Sequence, residues 1–116
     1  MSENLIDIQV FEDLKIALGD DYILELLDTW YEDAPKIFAE LDSSLASGDA
    51  DIFRRTAHAL KSNASSFGAT QLAAQCKELE ILGRQQQLDQ VGSKLADVKK
   101  AYELVVLELK RISHGQ

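Results

Sequence analysis

The feature that most constrains this fold is a helical spacing of apolar residues, which runs from about residue 7 to residue 112 almost without a break. Apolar side chains recur every three or four positions, and this spacing places them on one face of a helix. No segment shows the alternation of apolar and polar residues that marks a strand. The sequence therefore predicts an all-α protein.

Capping and turn residues divide this pattern into a short helix over about 7–18 and longer helices over about 20–47, 49–67, 70–84 and 88–112. N-caps are expected at Asp7, at Asp20 or Asp21, at Asp49 or Asp51, and at Thr70. Helix ends are expected at Gly19, Gly48, Gly68 and Gly83. Pro35 is expected to kink the second helix or to split it in two. Short connections make successive helices antiparallel, so we expect an up-down four-helix bundle with the short first helix as a lid.

Length and composition limit the possible functions. A chain of 116 residues is expected to form a single domain with one core. Its net charge of −8 argues against binding to nucleic acid or to an anionic membrane surface. No run approaches about 18 apolar residues, and residues 1–4 lack the start of a signal peptide. We therefore expect a cytoplasmic protein, and we expect it to be a monomer.

The apolar positions also predict the core. Trp30, Tyr31 and Phe38 fall on the inner side of the second helix. Cys76 shares a helical face with Leu72 and Leu79, so it is interpreted as a small buried apolar residue. Because Cys76 is the only cysteine, an internal disulfide and a cysteine-rich metal site are excluded.

The third helix has two distinct faces. Its apolar stripe consists of Phe53, Ala57, Leu60, Ala64 and Phe67. Its outer face carries Arg54, Arg55, His58, Lys61, Ser62 and Ser65. An outward imidazole among cations and small hydroxyl side chains suits a nucleophile that accepts an anionic group such as phosphate.

A hairpin of the third and fourth helices predicts a partner for His58. Folding about Gly68 and Ala69 brings His58 level with Leu79 and Glu80. Leu79 belongs to the apolar series, so Glu80 is the side chain that can reach the ring. A carboxylate that accepts from Nδ1–H fixes the tautomer and leaves the Nε2 lone pair free for attack. Lys61 is expected to meet the oxygens of an arriving phosphoryl group.

These residues resemble the signature of histidine-containing phosphotransfer (HPt) domains. The matching segments are Thr56-Ala57-His58-Ala59-Leu60-Lys61-Ser62, then Ser65, Gly68-Ala69, Leu72, Cys76 and Leu79-Glu80. The resemblance implies that His58 is phosphorylated on Nε2, that Lys61 assists with the phosphate, and that Glu80 orients the ring. Gly68 matches the family's helix-ending glycine, whereas Ser62 stands where the family most often has glycine. The helix count and order extend the resemblance over nearly the whole chain.

The resemblance implies that the protein is a phosphocarrier in a two-component phosphorelay. A kinase is not expected, because the chain has no glycine-rich loop that could bind a nucleotide. The implied partners are receiver domains, which carry the phospho-accepting aspartate and Mg²⁺, and a hybrid histidine kinase. No cofactor is expected on this chain. We expect a receiver to dock over the face around His58, which includes Arg54, Arg55, Ser62 and Ser65. Phe11 or Leu14 of the first helix would form an apolar border.

Two other functions compete with this interpretation. One is a metal-binding bundle with His58, Glu80 and a third ligand in Cys76, although the chain lacks the Glu-x-x-His pairs of carboxylate bundles. The other is a helical adaptor that binds partners without phosphate chemistry. Incorporation of phosphate at His58 would discriminate between the adaptor and the phosphocarrier. No role is assigned to His114.

Overall fold

The computed structural model describes residues 5–113, so His114 lies outside the described residues. Within this range the chain forms five α-helices and no strand, which confirms the all-α prediction. The helices are α1 (Ile8–Leu18), α2 (Asp20–Ser47), α3 (Ala50–Ser66), α4 (Thr70–Arg84) and α5 (Lys94–Ser113). α3 packs between α2 and α4, α5 packs against α4 and α2, and α1 lies across α2 and α3. No helix of the described chain is both long and apolar enough to cross a membrane.

Two of the expected side-chain caps are present. The Asp7 carboxylate accepts hydrogen bonds from the backbone N–H groups of Gln9 and Val10, at 3.1 and 3.4 Å. The Asp49 carboxylate accepts from the N–H of Ile52 at 3.1 Å. Each cap satisfies donors that have no partner inside the first turn of a helix.

The caps expected at Asp20 or Asp21 and at Thr70 are wrong. α2 follows Gly19 directly, because this glycine at φ +93° ends α1 and begins α2 without a linker. Asp20 and Asp21 therefore lie inside the first turn, where their negative charges favour the positive end of the helix dipole. Thr70 is the first residue of α4, and its N-cap is Ala69, which has no side chain that can cap.

One other boundary differs from the sequence prediction, at the start of the last helix, whereas α2 has the predicted bounds. α2 continues across Pro35, so the proline does not split it. The last helix begins at Lys94 rather than at residue 88, because Leu88–Gln90 forms one turn of 3₁₀ helix and Gly92 then adopts φ +52°. Val91 is nevertheless buried, so the apolar spacing continues through a segment that is not α-helical.

Gly83 does not open a loop, as its sequence context suggested. It lies inside α4, is buried, and faces the backbone of Arg54 on α3. A Cβ atom at this position would come within 3.0 Å of the Arg54 N, Cα and Cβ atoms. The glycine therefore permits a close approach of α3 and α4, and these two helices carry the residues described below.

The predicted stripe of α3 is buried throughout, and the core includes Trp30 and Cys76 as expected. Aromatic rings fill the space between α2 and α5. The Trp30 ring stacks on Phe67 with a centroid distance of 5.1 Å and meets Tyr102 edge-on at 5.3 Å. Tyr102 also contacts Phe38 at 5.4 Å. Tyr31 and Phe38 are half-buried against this core.

The segment before α1 is attached to the turn between α3 and α4. The Asp7 N–H donates to the Gly68 carbonyl oxygen at 2.7 Å. Gly68 has φ +85°, and a Cβ atom on it would lie 2.7 Å from the Asp7 oxygen. Only glycine combines this backbone conformation with this approach, which explains why position 68, two residues after the end of α3, is glycine.

Candidate functional site

His58 lies on the outward face of α3, as its position in the helical pattern predicts. Its side chain is 55% exposed, and its Nδ1 atom lies 3.0 Å from Oε2 of Glu80 on α4. The predicted pairing of His58 and Glu80 across the two helices is therefore present. Because the carboxylate engages Nδ1, the Nε2 atom is the ring nitrogen left for a reaction with another molecule.

Glu80 is the buried centre of this cluster. Its side chain is only 6% exposed, and each of its two oxygens lies close to at least one side-chain nitrogen. Oε1 lies 2.8 Å from Nζ of Lys61, and Oε2 lies 3.2 Å from Nη2 of Arg84 as well as near His58. Burial acts to raise the pKa of the Glu80 carboxyl, but hydrogen bonds from Lys61 and His58 outweigh it and lower that pKa. Glu80 is therefore a carboxylate at neutral pH.

An ionised Glu80 fixes what the His58 ring can do. A carboxylate has no proton to donate, so the contact at 3.0 Å requires a hydrogen on Nδ1. When the ring is neutral, its lone pair is then on Nε2. If Nε2 forms a new bond, the ring becomes positively charged next to a buried negative charge, which stabilises the product.

Lys61 does not point freely toward the place where a phosphate would arrive. Its Nζ atom pairs with Glu80, and its side chain is 25% exposed. The sequence suggested a lysine reserved for phosphate, whereas here the lysine also neutralises a buried carboxylate. Lys61 nevertheless lies one helical turn after His58 along α3, and its Nζ contacts the same carboxylate group as His58.

The two arginines of the outer face share one partner. Arg54 and Arg55 both contact the Asp51 carboxylate, at 2.8 and 3.1 Å. Ser62 and Ser65 are exposed next to His58 on the same face. Arg55 is also exposed, whereas Arg54 is half-buried, and the ion pairs of both arginines with Asp51 were not predicted.

The prediction that Phe11 borders the docking face is wrong. Phe11 is 1% exposed and belongs to the core, because its face of α1 packs against the bundle. Leu14 is half-buried and packs on the same core. Phe11 is therefore not available to a partner, and Leu14 is available only in part.

Sequence reasoning missed Arg84. It stands four residues after Glu80 on the same helix, a spacing that brings an acidic and a basic side chain together. That spacing lies inside the helix predicted over 70–84, but the sequence alone does not show that Glu80 is buried and that Arg84 contacts it. α4 extends to Arg84 and so places the guanidinium beside Glu80.

The residues of the rival metal site are not arranged as ligands. Cys76 is fully buried, and burial raises the pKa of its thiol to about 12, so it is protonated at neutral pH. Metal-binding cysteines are thiolates. Among residues 5–113, no three side chains of the His, Cys, Asp or Glu types are grouped in a way that could hold a metal ion.

Comparison with known proteins agrees with this geometry. The family model of the Hpt domain matches residues 25–112, which is most of the chain. The chain belongs to the Hpt domain family. This family is the one that the motif around His58 resembles, and the match includes α3, α4 and the whole His58, Lys61 and Glu80 cluster.

Two individual proteins are similar to this Hpt domain. The crystal structure of histidine-containing phosphotransfer protein B (HptB) from Pseudomonas aeruginosa PAO1 superimposes with a TM-score of 0.88, at 30% identity and over 99% of each chain. The phosphorelay protein LuxU of Vibrio harveyi is 26% identical over 98 residues, which cover 84% of this chain and 86% of LuxU. Both similarities extend over nearly a whole domain.

Proposed function

We propose that this Hpt domain is a phosphocarrier of a phosphorelay and that His58 is the residue that carries the phosphoryl group. The family match and the similarity to proteins named for phosphorelay and phosphotransfer support the carrier role. The observation that carries the assignment to His58 is its geometry. An exposed imidazole has Nδ1 bound to a buried carboxylate, which leaves Nε2 as the nucleophile.

The transfer step follows from this arrangement. The Nε2 lone pair attacks the phosphorus of an aspartyl phosphate on the donor. As the N–P bond forms, the bond between phosphorus and the aspartate oxygen breaks, and the electron pair leaves with the aspartate carboxylate. The proton on Nδ1 stays in place, so the phosphorylated ring is positive and its charge is stabilised by Glu80. The reverse step passes the phosphoryl group to the aspartate of a second protein.

The donor and acceptor in this proposal are receiver domains, and a hybrid histidine kinase is an alternative donor. Phosphoryl transfer requires in-line positioning and neutralisation of the phosphoryl oxygens. The partner would supply Mg²⁺ for those oxygens, and this chain would supply Lys61 from beside Glu80 without a cofactor or kinase activity of its own. The small side chains of Ser62 and Ser65 allow a protein surface to approach the ring. Arg54 and Arg55 flank that approach as charged docking residues.

Substitution of His58 tests the assignment directly. We expect His58→Gln to abolish acid-labile, base-stable phosphorylation by a phosphorylated receiver and by a small phosphoramidate. The fold should survive, because an exposed histidine contributes little to the core. An unchanged melting temperature serves as the control for folding. Persistence of the label in the variant would contradict the proposal, and failure of the unchanged protein to take up phosphate from either donor would favour an adaptor instead.

A further inference from the structure

Arg84 belongs to the Glu80 cluster but takes no part in the proposed transfer step. Its Nη2 atom lies 3.2 Å from Glu80 Oε2, the same oxygen that lies 3.0 Å from His58 Nδ1. One carboxylate oxygen is therefore shared between the reacting ring and a permanent cation. Lys61 holds the other oxygen, so the buried carboxylate meets positive charge at both oxygens.

This sharing addresses a chemical difficulty of the site. A carboxylate beside an imidazole favours the doubly protonated, positive ring. Such a ring has hydrogens on both nitrogens and no lone pair on Nε2, so it cannot attack phosphorus. The site therefore has two requirements. Glu80 must keep its hydrogen bond to Nδ1, and Nε2 must not carry a proton when the reaction begins.

We propose that Arg84 is a positioning residue that acts on His58 through Glu80. By pairing with Oε2, it holds the carboxylate in place for Nδ1 and limits how strongly that carboxylate favours a second proton on the ring. The inference rests on the proposed role of His58, and it adds the residue that adjusts the reactivity of that histidine.

The placement of Arg84 suits this role. Glu80 and Arg84 stand one turn apart on α4 in the order acid then base, which is the favourable order on a helix. A guanidinium does not lose its proton in the accessible pH range, so its compensation of Glu80 is constant. The nearby arginines of α3, Arg54 and Arg55, are engaged by Asp51 and have no contact with Glu80 in the described structure.

The test is the pH profile of phosphorylation in Arg84→Gln, measured with a small phosphoramidate so that docking has no effect. Because the Arg84 side chain is 61% exposed, we expect a modest upward shift of the profile, by about half a pH unit. Well below the midpoint the rate should then fall about threefold, and well above it the rate should be unchanged. The His58 titration followed by NMR should shift by the same amount, and Arg84→Lys should restore most of it.

Lys77→Gln is the matched control, since it removes one exposed positive charge from α4 without removing a contact to Glu80. It should leave the profile in place. In a Glu80→Gln background Arg84 has no charge to compensate, so adding Arg84→Gln should cause no further shift. A rate reduced equally at every pH, an equal shift in Lys77→Gln, or a full shift in the Glu80→Gln background would each overturn the inference. The NMR titration decides the role of Arg84 even if the unchanged protein takes up no phosphate, an outcome that would refute the proposed function separately.

Discussion

The contact between α3 and α4 depends on a glycine, whereas the contact between α2 and α5 is built from large aromatic rings. Gly83 lets α4 approach the backbone of Arg54, and the neighbouring His58 and Glu80 meet at 3.0 Å. On the other side, Tyr102 of α5 packs against Trp30 and Phe38 of α2 with centroid distances of 5.3 and 5.4 Å. A close backbone approach fixes short polar distances, while rings supply buried area. Chemistry and stability therefore depend on different contacts of one bundle.

The largest loss of stability should follow removal of an aromatic ring from the α2–α5 contact. Trp30→Ala should lower the free energy of unfolding by about 3–5 kcal/mol, because Trp30 is 3% exposed and packs on two other rings. At a low temperature, where the variant is still folded, phosphorylation of His58 should proceed at nearly the normal rate. Denaturant unfolding and a phosphoramidate assay measure the two quantities. A strong loss of phosphorylation in the folded variant would show that the two contacts are not separate.

The opposite pattern is expected at the α3–α4 contact. Gly83→Leu should push α4 away from Arg54 and lengthen the distance between His58 and Glu80, at a cost of about 1–3 kcal/mol in stability. Phosphorylation should fall more than stability does. Ala74→Leu, on the exposed face of the same helix, is the control and should change neither quantity. Normal transfer by Gly83→Leu would mean that the close approach is not needed for the chemistry.

A change on the open surface should affect neither contact but should hinder docking. Ser62→Trp should slow transfer from a receiver by about tenfold or more, while phosphorylation by a small phosphoramidate changes little, because a bulky ring obstructs only a protein partner. Both rates are to be measured on a folded variant. Equal losses with both donors would place Ser62 in the chemical site, and no loss with either would show that the receiver approaches from elsewhere.

The smallest effect concerns acid stability. The pKa of Glu80 is lowered in the folded state, so its ionic contacts stabilise the fold above the ordinary carboxyl pKa of about 4.3 and lose their effect as pH falls through the lowered value. Glu80→Gln should therefore cost about 1 kcal/mol at neutral pH and progressively less in acid. Glu78→Gln, exposed on the same helix, should follow the unchanged protein. A cost that does not decrease in acid would mean that the charge of Glu80 does not stabilise the fold.

Periodicity was sufficient to predict the helices and the faces that they bury. The stripe of α3, the outward position of His58 and its pairing with Glu80 follow from spacing and from an antiparallel hairpin. Spacing does not report backbone conformation, which is why Val91 seemed to belong to a longer last helix although Gly92 interrupts it.

The errors at single residues have similar physical causes. The sequence does not show whether a glycine ends a helix or permits a close approach of a neighbouring helix. Gly83 permits the close approach of α3 to α4. Phe11 is apolar on a short amphipathic helix, and only the packing of α1 shows that it is buried rather than available to a partner. Arg84 lies inside the predicted helix, but only the structure shows that its guanidinium contacts the buried Glu80 carboxylate.

The most direct test of the central claim is the identity of the phosphorylated atom. The pairing of Nδ1 with Glu80 at 3.0 Å leaves Nε2 as the nucleophile, so ¹⁵N and ³¹P NMR of the phosphorylated protein should show one phosphoryl group on Nε2 of His58. The Nδ1 hydrogen should remain, bound to Glu80. Phosphate on Nδ1, or on any residue other than His58, would contradict the account.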